Sequence, residues 1–510
     1  MNTLTRHFDR LLQRGVSVLV LVAAVACSVL ATPVLVPFDE EGLRLAICLC
    51  VLGPLVWLAY QGSPAAVPYL LAVIVLNRGL RRVLDWSAGE FSAVTVLSIL
   101  PALAASVLGV AALARWASIP KPVRVTGWIV LALLGYGAVR GVGNGIGFAV
   151  ALSDYTSILA LVFYVSSIRA TPRDIDGWYR AMAWLAAGAV AYGWYQFLVL
   201  PPWDAAWMGW SQMNSIGAIE AGGFRPFSTM ASPGPYSVFL ALALVPALVN
   251  ARWRPGGWLV PAFILSGLLL TLVRSAWLML AVGLVVWAMT GRSREAGRTV
   301  MVVGVMAIAG GFVMPYVPGA DRISNRLDSL THLGSDHSAS DRADLLRDGP
   351  QMLVHHPLGQ GLGSTGTAVR MANADRSNVA LDNGVFFYFL TFGALGGAAF
   401  VVVAVRLWRG LSGGRWLPSA DASPAERMAF VGFVMLLFGL SAVNVIANAS
   451  AWAVWAFVAV TLGRRTRAAQ RRVAADDDGA IEDGIELASG VGVPGHESSL
   501  GRGRPAGGWA

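Results

Sequence analysis

The residues best equipped for chemistry are gathered in one polar stretch, Gly319 to Asp382, between two strongly apolar runs. It holds four of the six histidines, together with Arg322, Arg326, Arg342, Arg347, Arg370 and Arg376, in a chain of which only 13% is charged. Two further arginines stand close to apolar runs: Arg225 in GGFRPFSTMASPGPYSVF and Arg274 in LLLTLVRSAWLML. A guanidinium next to hydrocarbon is costly and is usually partnered or functional. Its permanently charged fork of donors suits phosphate oxygens. Snorkelling to lipid headgroups is the competing explanation for each. Arg140, in GYGAVRGVGNG, is a third candidate of the same kind, with snorkelling the stronger explanation.

Within the polar stretch, Ser338 and Asp341 have the spacing of a capping box, followed by an apolar stripe at Leu345, Leu346, Met352 and Leu353, so SASDRADLLRDG reads as a helix start. HHPLGQGLGS follows, with Gly359, Gly361 and Gly363 alternating. Alternating glycines allow a close backbone approach and can turn N–H groups toward an anion, although a tight turn is the commoner use. The pattern fits neither a dinucleotide fingerprint nor a phosphate-binding Walker loop. His355 and His356 have no carboxylate at metal-ligand spacing, so they read as pocket-shaping or helix-end residues, and no metal or other cofactor is expected.

The elements that must position these residues are membrane spans. At 56% hydrophobic residues and a mean hydropathy of +0.62, the 510-residue chain carries more apolar side chain than one soluble core can hide. Apolar runs of spanning length give about 12 to 14 transmembrane helices. The organisation read from them is a bundle over 1–317, a long extracytoplasmic loop with short helices over 318–382, further spans over 383–463, and a tail, 464–510, whose acidic, Gly-rich composition predicts disorder. The run after Arg6, Arg10 and Arg14 reads as a first span rather than a cleavable signal. Cys27, Cys48 and Cys50 lie in apolar runs, as buried thiols would.

The net charge of +9 comes from 38 Lys+Arg against 29 Asp+Glu, and the basic residues cluster at span ends. That pattern reports topology and anionic-lipid contact, and it excludes a nucleic-acid patch. Arg115, Lys121, Arg124, Arg169, Arg173, Arg180, Arg252, Arg254 and Arg427 fall in alternate loops, which predicts cytoplasmic termini and an extracytoplasmic long loop. One cluster breaks the rule: Arg78, Arg81 and Arg82 fall on the outer side. Headgroup contact or a local topology error is the ready explanation, and a phosphate ligand is the other.

Taken in order, Arg225 with its small-residue stretch, TLVRSAW with Arg274, SDRADLL with Arg342, HHPLGQGLGS, and the span start LDNGVFFYFLTFGALGG resemble the O-antigen ligase and O-antigen or exopolysaccharide polymerase family. The resemblance runs from about Gly222 to Gly397. It implies an all-α, polytopic, glycosyltransferase C-like protein of the bacterial inner membrane. Its implied reaction transfers glycan from undecaprenyl pyrophosphate to an acceptor hydroxyl, with a lipid-linked oligosaccharide donor, a glycan acceptor, membrane lipids and other polysaccharide-assembly proteins as partners. Arg225 and Arg274 would then hold the diphosphate. Where the family often has a histidine before the asparagine, this chain reads Asp382 and Asn383. Asp382 would be the acceptor base, and Arg342, His355, His356, Asn383 and Arg140 would line the substrate. Polymerisation of repeats is favoured over ligation to lipid A core or protein because of Asp382. A flippase would instead call for repeated halves and mid-membrane charges, and no internal repeat is visible.

Overall fold

The computed structural model describes residues 40–91, 95–211, 216–291, 354–365, 383–442, 445–446 and 449–489, with isolated helical positions between 295 and 351. The chain divides into two compact units, Met1–Gly463 and Arg464–Ala510. The expected spans at 16–36 and 298–316, the Ser338–Asp341 capping box, and the site candidates Arg342 and Asp382 lie outside the described residues.

Among the described residues the protein is all helical, apart from one isolated bridge pairing Gly217 with Phe224. In chain order the helices are α1 Glu40–Tyr60, α2 Ala66–Ser87, α3 Val96–Leu113, α4 Lys121–Gly141, α5 Ile146–Ser167, α6 Pro172–Val199, α7 Pro202–Ser211, α8 Pro233–Val249, α9 Leu259–Leu270, α10 Arg274–Thr290, α11 Gly384–Ser412, α12 Pro424–Gly439 and α13 Trp452–Ser489. Their starts follow local chemistry. Thr95 with Ser98 and Thr171 with Asp174 form reciprocal capping boxes at α3 and α6, and Ser423 caps α12 ahead of a proline in its first turn.

Five helices, α1, α3, α4, α5 and α11, are long and apolar enough to cross a membrane. A sixth span arises if α6 and α7, bent by 84° at Leu200, count together. The protein is therefore an all-α polytopic membrane protein, with fewer full-length spans among the described residues than the apolar runs suggested. Two causes account for the difference. Arg78, Arg81, Arg82 and Asp85 make α2 too polar, and α8, α9 and α10 are only 17, 12 and 17 residues long. At 1.5 Å per residue, α9 extends only about 18 Å.

α13 runs on to Ser489, into the stretch whose composition predicts disorder. The start of that stretch, RRTRAAQRRVAA, is rich in Ala and Arg, which are good helix formers.

α8 is the hub of the first unit, buried along most of its length and packed against α6, α9, α10 and α12. Small residues set the spacing, as they do where lipid removes the hydrophobic drive between helices. Gly267 of α9 faces Val190 of α6, and Gly283 of α10 sits between Val245 of α8 and Met435 of α12. Direction follows from paired contacts. Tyr236 near the start of α8 donates to Ala189 O while Trp253 beyond its end stacks on Tyr179, so α8 runs antiparallel to α6. Trp194 near the end of α6 donates to Ser266 near the end of α9, and Trp277 in the first turn of α10 donates to Leu268 O, so α10 turns back from that end and begins where α8 begins. Met279 of α10 also approaches Gly439 of α12, and the next residue, Leu440, accepts a 2.7 Å hydrogen bond from Gly384 N–H at the start of α11. The starts of α8, α10 and α11 thus share one end.

The opposite end carries most of the loop arginines that the charge pattern grouped together. There Arg115 donates to the Ala59 and Tyr60 carbonyls, Trp253 Nε1 donates to Asp176 at 2.6 Å, and Arg427 pairs with Glu295 at 2.6 Å.

Candidate functional site

Arg274 is the first residue of α10, behind a tight turn at 271–273. The turn is held locally: the Thr271 hydroxyl donates to Leu268 O at 2.6 Å, and Trp277 Nε1 donates to the same carbonyl at 3.1 Å. Leu272 between them adopts φ +55°. Arg225 sits in a loop whose backbone pairs across Gly217 and Phe224, with Arg225 N–H donating to Ile216 O at 2.8 Å. Phe224 and Phe227 anchor that loop in a small separate core with Met208 and Ile216. Arg225 and Arg274 are both half-buried; Arg225 lies ahead of α8 and Arg274 begins α10, and both helices start at the same end of the bundle.

Among the described residues, three that are not glycine have positive φ: Leu200, Ser228 and Leu272. They occupy the α6–α7 bend, the Arg225 loop and the Arg274 turn. Each such conformation costs on the order of 1–3 kcal/mol and persists only where surrounding contacts impose it. Ser228 shows what imposes it. Its N–H and that of Phe227 both donate to Gln196 Oε1 at 2.9 Å, its hydroxyl donates to Ala189 O at 2.6 Å, and its carbonyl accepts from Arg82.

That last contact belongs to a network the sequence did not reveal. Arg82 is 4% exposed, pairs with the fully buried Asp204 at 2.6 Å and donates to Met230 O at 2.5 Å. Asp204 also accepts from Tyr192 and from Gln196, each at 2.8 Å. Beside it on the helix, Arg81 pairs with Asp85 at 3.1 Å, and Asp85 also meets Arg44 of α1 at 3.4 Å. Headgroup contact therefore does not explain Arg81 and Arg82: both are buried ion-pair residues, and Arg82 clamps the Arg225 loop to α2. The signal in the sequence is their spacing, since 78, 81, 82 and 85 form one polar face of an otherwise apolar helix. Breaking such a pair from one side strands a buried charge. Asp204→Asn should lower stability by about 3–5 kcal/mol, read as a fall in the melting temperature of the detergent-purified protein.

The glycine loop does something other than present N–H groups to an anion. α11 is broken at Gly393 (φ +67°, ψ −166°), which frees the carbonyls of the preceding turn. Gln360 N–H donates to Leu390 O at 2.7 Å, Gly361 N–H to Thr391 O at 2.9 Å, and Leu362 N–H to Gly137 O of α4 at 2.9 Å. In return Ala394 N–H donates to Pro357 O at 2.9 Å. The loop is thus wedged between α4 and the break in α11, with its donors spent on helix carbonyls. Gly359, Gly361 and Gly363 have φ of +72°, +85° and +80°, and a Cβ on any of them would lie within 2.4 Å of neighbouring backbone.

Arg140 serves the same wedge, donating to Gly359 O at 3.0 Å, as do Tyr136 to Leu358 O at 2.6 Å and Asn144 to Leu362 O at 2.8 Å. Asn383 is the N-cap of α11, its Oδ1 accepting from Val385 N–H at 2.9 Å and Phe386 N–H at 3.3 Å. His355 and His356 are exposed beside the wedge. The structure therefore brings Arg225, Arg274 and Asn383 to one end of the bundle, and it gives Arg140 and Asn383 structural partners. Among the described residues no group of His, Cys, Asp and Glu could hold a metal ion.

Residues 259–401 match a family model described as O-antigen ligase. The matched segment begins with α9, includes the Arg274 turn and the glycine wedge, and ends within α11. No curated protein matches the chain. The family match supports an O-antigen ligase or polymerase type of membrane function, acting on lipid-linked glycan in the membrane.

Proposed function

We propose that the protein is a membrane glycosyltransferase that moves glycan from undecaprenyl pyrophosphate to an acceptor hydroxyl, with another glycan repeat as acceptor. The observation that carries this reading is that the family-matched segment contains Arg274, at a helix start on the same bundle end as the Arg225 loop. An arginine there opposes the helix macrodipole, so it adds nothing to helix stability. An anion placed at that point gains from the guanidinium and from the helix end together.

In the reaction, the acceptor oxygen attacks the anomeric carbon and the carbon–oxygen bond to the diphosphate breaks. The bonding pair leaves on the diphosphate, and the hydroxyl proton passes to a base, for which Asp382 is the proposed group. Arg225 and Arg274 would meet the charge that grows on the leaving oxygen, which fixed cations do without a metal. Strained turns under both arginines support the assignment, because rigid backbone keeps donors where charge develops.

A second reading, ligation of finished glycan to lipid A core or protein, is favoured by the description of the matched family. A deletion strain separates the two. Accumulation of lipid-linked single repeats identifies a polymerase, accumulation of full-length lipid-linked glycan identifies a ligase, and failure to move the unit outward would overturn both in favour of a flippase.

A further inference from the structure

Arg78 differs from its neighbours on α2. Arg81 and Arg82 are spent on Asp85, Asp204 and backbone carbonyls. Arg78 is half-buried and makes no hydrogen bond or ion pair among the described residues. Arg81 and Arg82 both repel it, and the carboxylate whose charge reaches it is Asp154 of α5, which does not close an ion pair with it. Arg78 lines a shallow, open cleft with Arg81, Arg82, Asp85, Phe91, Trp207 and Ala231.

The rim of that cleft is aromatic. Phe91 stacks on Trp210 at 5.8 Å and meets Trp207 edge-on at 5.1 Å, and Trp86 meets Trp203 at 5.9 Å. Tryptophans gather at headgroup level in membrane proteins. α7, which carries Trp203, Trp207 and Trp210, turns 84° from α6 at this point. A fork of donors with no acceptor among the described residues, held among like charges at the depth of lipid heads, is matched by a phosphate group on an amphiphile.

We propose that the cleft binds a phosphoryl group of a diphosphate-bearing amphiphile, with Arg78 as the residue that grips it. Arg81 and Arg82, locked by their carboxylates, fix the wall of the cleft, with Arg81 also lying over the Phe91 ring at 4.9 Å, while Phe91 and Trp207 form its apolar rim. Naming that amphiphile as the lipid-linked glycan donor rests on the transferase reading above, whereas the phosphate chemistry rests on the cleft alone. Ala231 joins the cleft to the Arg225 loop, because Ser228 and Met230 in the same loop are held by Arg82.

The test is ligand binding to the full chain in nanodiscs, read by native mass spectrometry, with undecaprenyl diphosphate, phosphatidylglycerol and inorganic pyrophosphate as separate probes. Arg78→Ala should weaken undecaprenyl diphosphate binding about tenfold or more, as expected for loss of a charged hydrogen bond. Arg78→Lys should weaken it less, and phosphatidylglycerol binding should not change. Ala231→Leu, which narrows the mouth and leaves every arginine in place, should reproduce the loss if Arg78→Ala does not fold. Undiminished binding in both variants overturns the proposal. Equal loss of phosphatidylglycerol marks a bulk headgroup site, and inorganic pyrophosphate binding as tightly as the lipid marks a free-phosphate site; either also overturns it. Normal glycan in cells carrying Arg274→Ala would instead overturn the transferase reading and leave this binding result standing.

Discussion

Arg274→Ala should leave the protein at its normal level in the membrane and cut glycan transfer about 100- to 1000-fold, the usual cost of removing one donor from a developing oxyanion. The two halves of this result have separate causes. Arg274 is half-buried at the first position of α10, where a cation is unfavourable to the helix. Removing it costs the helix no favourable dipole interaction, and the turn keeps its anchors at Thr271 and Trp277. The rate loss comes from the diphosphate, whose charge rises as the glycosidic bond breaks. Arg274→Lys should fall between, since an ammonium supplies charge without the fork. Product length on gels of surface glycan, beside an immunoblot of membrane fractions, checks both halves. Full-length product at the usual amount from the alanine variant would remove Arg274 from the donor site.

Gly361→Ala should have an effect of the same size by a different route, namely loss of the folded protein. The residue has φ +85°, where a side chain is strained, and its new Cβ would stand 2.3 Å from Gly141 N and 2.4 Å from Arg140 C. Neither neighbour can yield, because both are backbone of α4. Expelling the loop would break the bond from Gly361 N–H to Thr391 O and those of its neighbours. That leaves carbonyls of the broken helix unsatisfied inside the membrane protein, where each costs several kcal/mol. The measurement is the monodisperse yield and melting temperature of the purified variant. Gly143→Ala is the matched control, with no atom within 4 Å of its added Cβ, and should melt like the parent. A stable, correctly folded Gly361→Ala protein would show that the loop is not wedged as described.

The turns and loops that carry the candidate residues are legible in the sequence alone. The Arg274 turn between two helices shows in TLVRSAW because the apolar runs on either side end there. The Arg225 loop shows as a polar interruption ahead of a span. The glycine loop stands out by its alternation, but its use does not. Whether Gly359, Gly361 and Gly363 serve an anion or a neighbouring helix depends on the break at Gly393, well downstream, which offers free carbonyls to the loop's donors. Asn383 likewise reads as available to a substrate, whereas in the fold its oxygen caps α11.

What the sequence determined by itself is the membrane character, the all-helical class and the concentration of cations at a few boundaries, because transfer of a side chain into lipid is a local cost that each residue carries alone. What only the tertiary structure decided is which arginines are spent. Arg82 finds its carboxylate at Asp204 and its carbonyls at Ser228 and Met230, the latter two 146 and 148 positions away. Arg78, one turn earlier on the same helix, finds no such partner among the described residues. A guanidinium's role is set by the acceptors that folding brings within about 3 Å of it, and helical periodicity gives its direction on the helix without saying what will stand opposite.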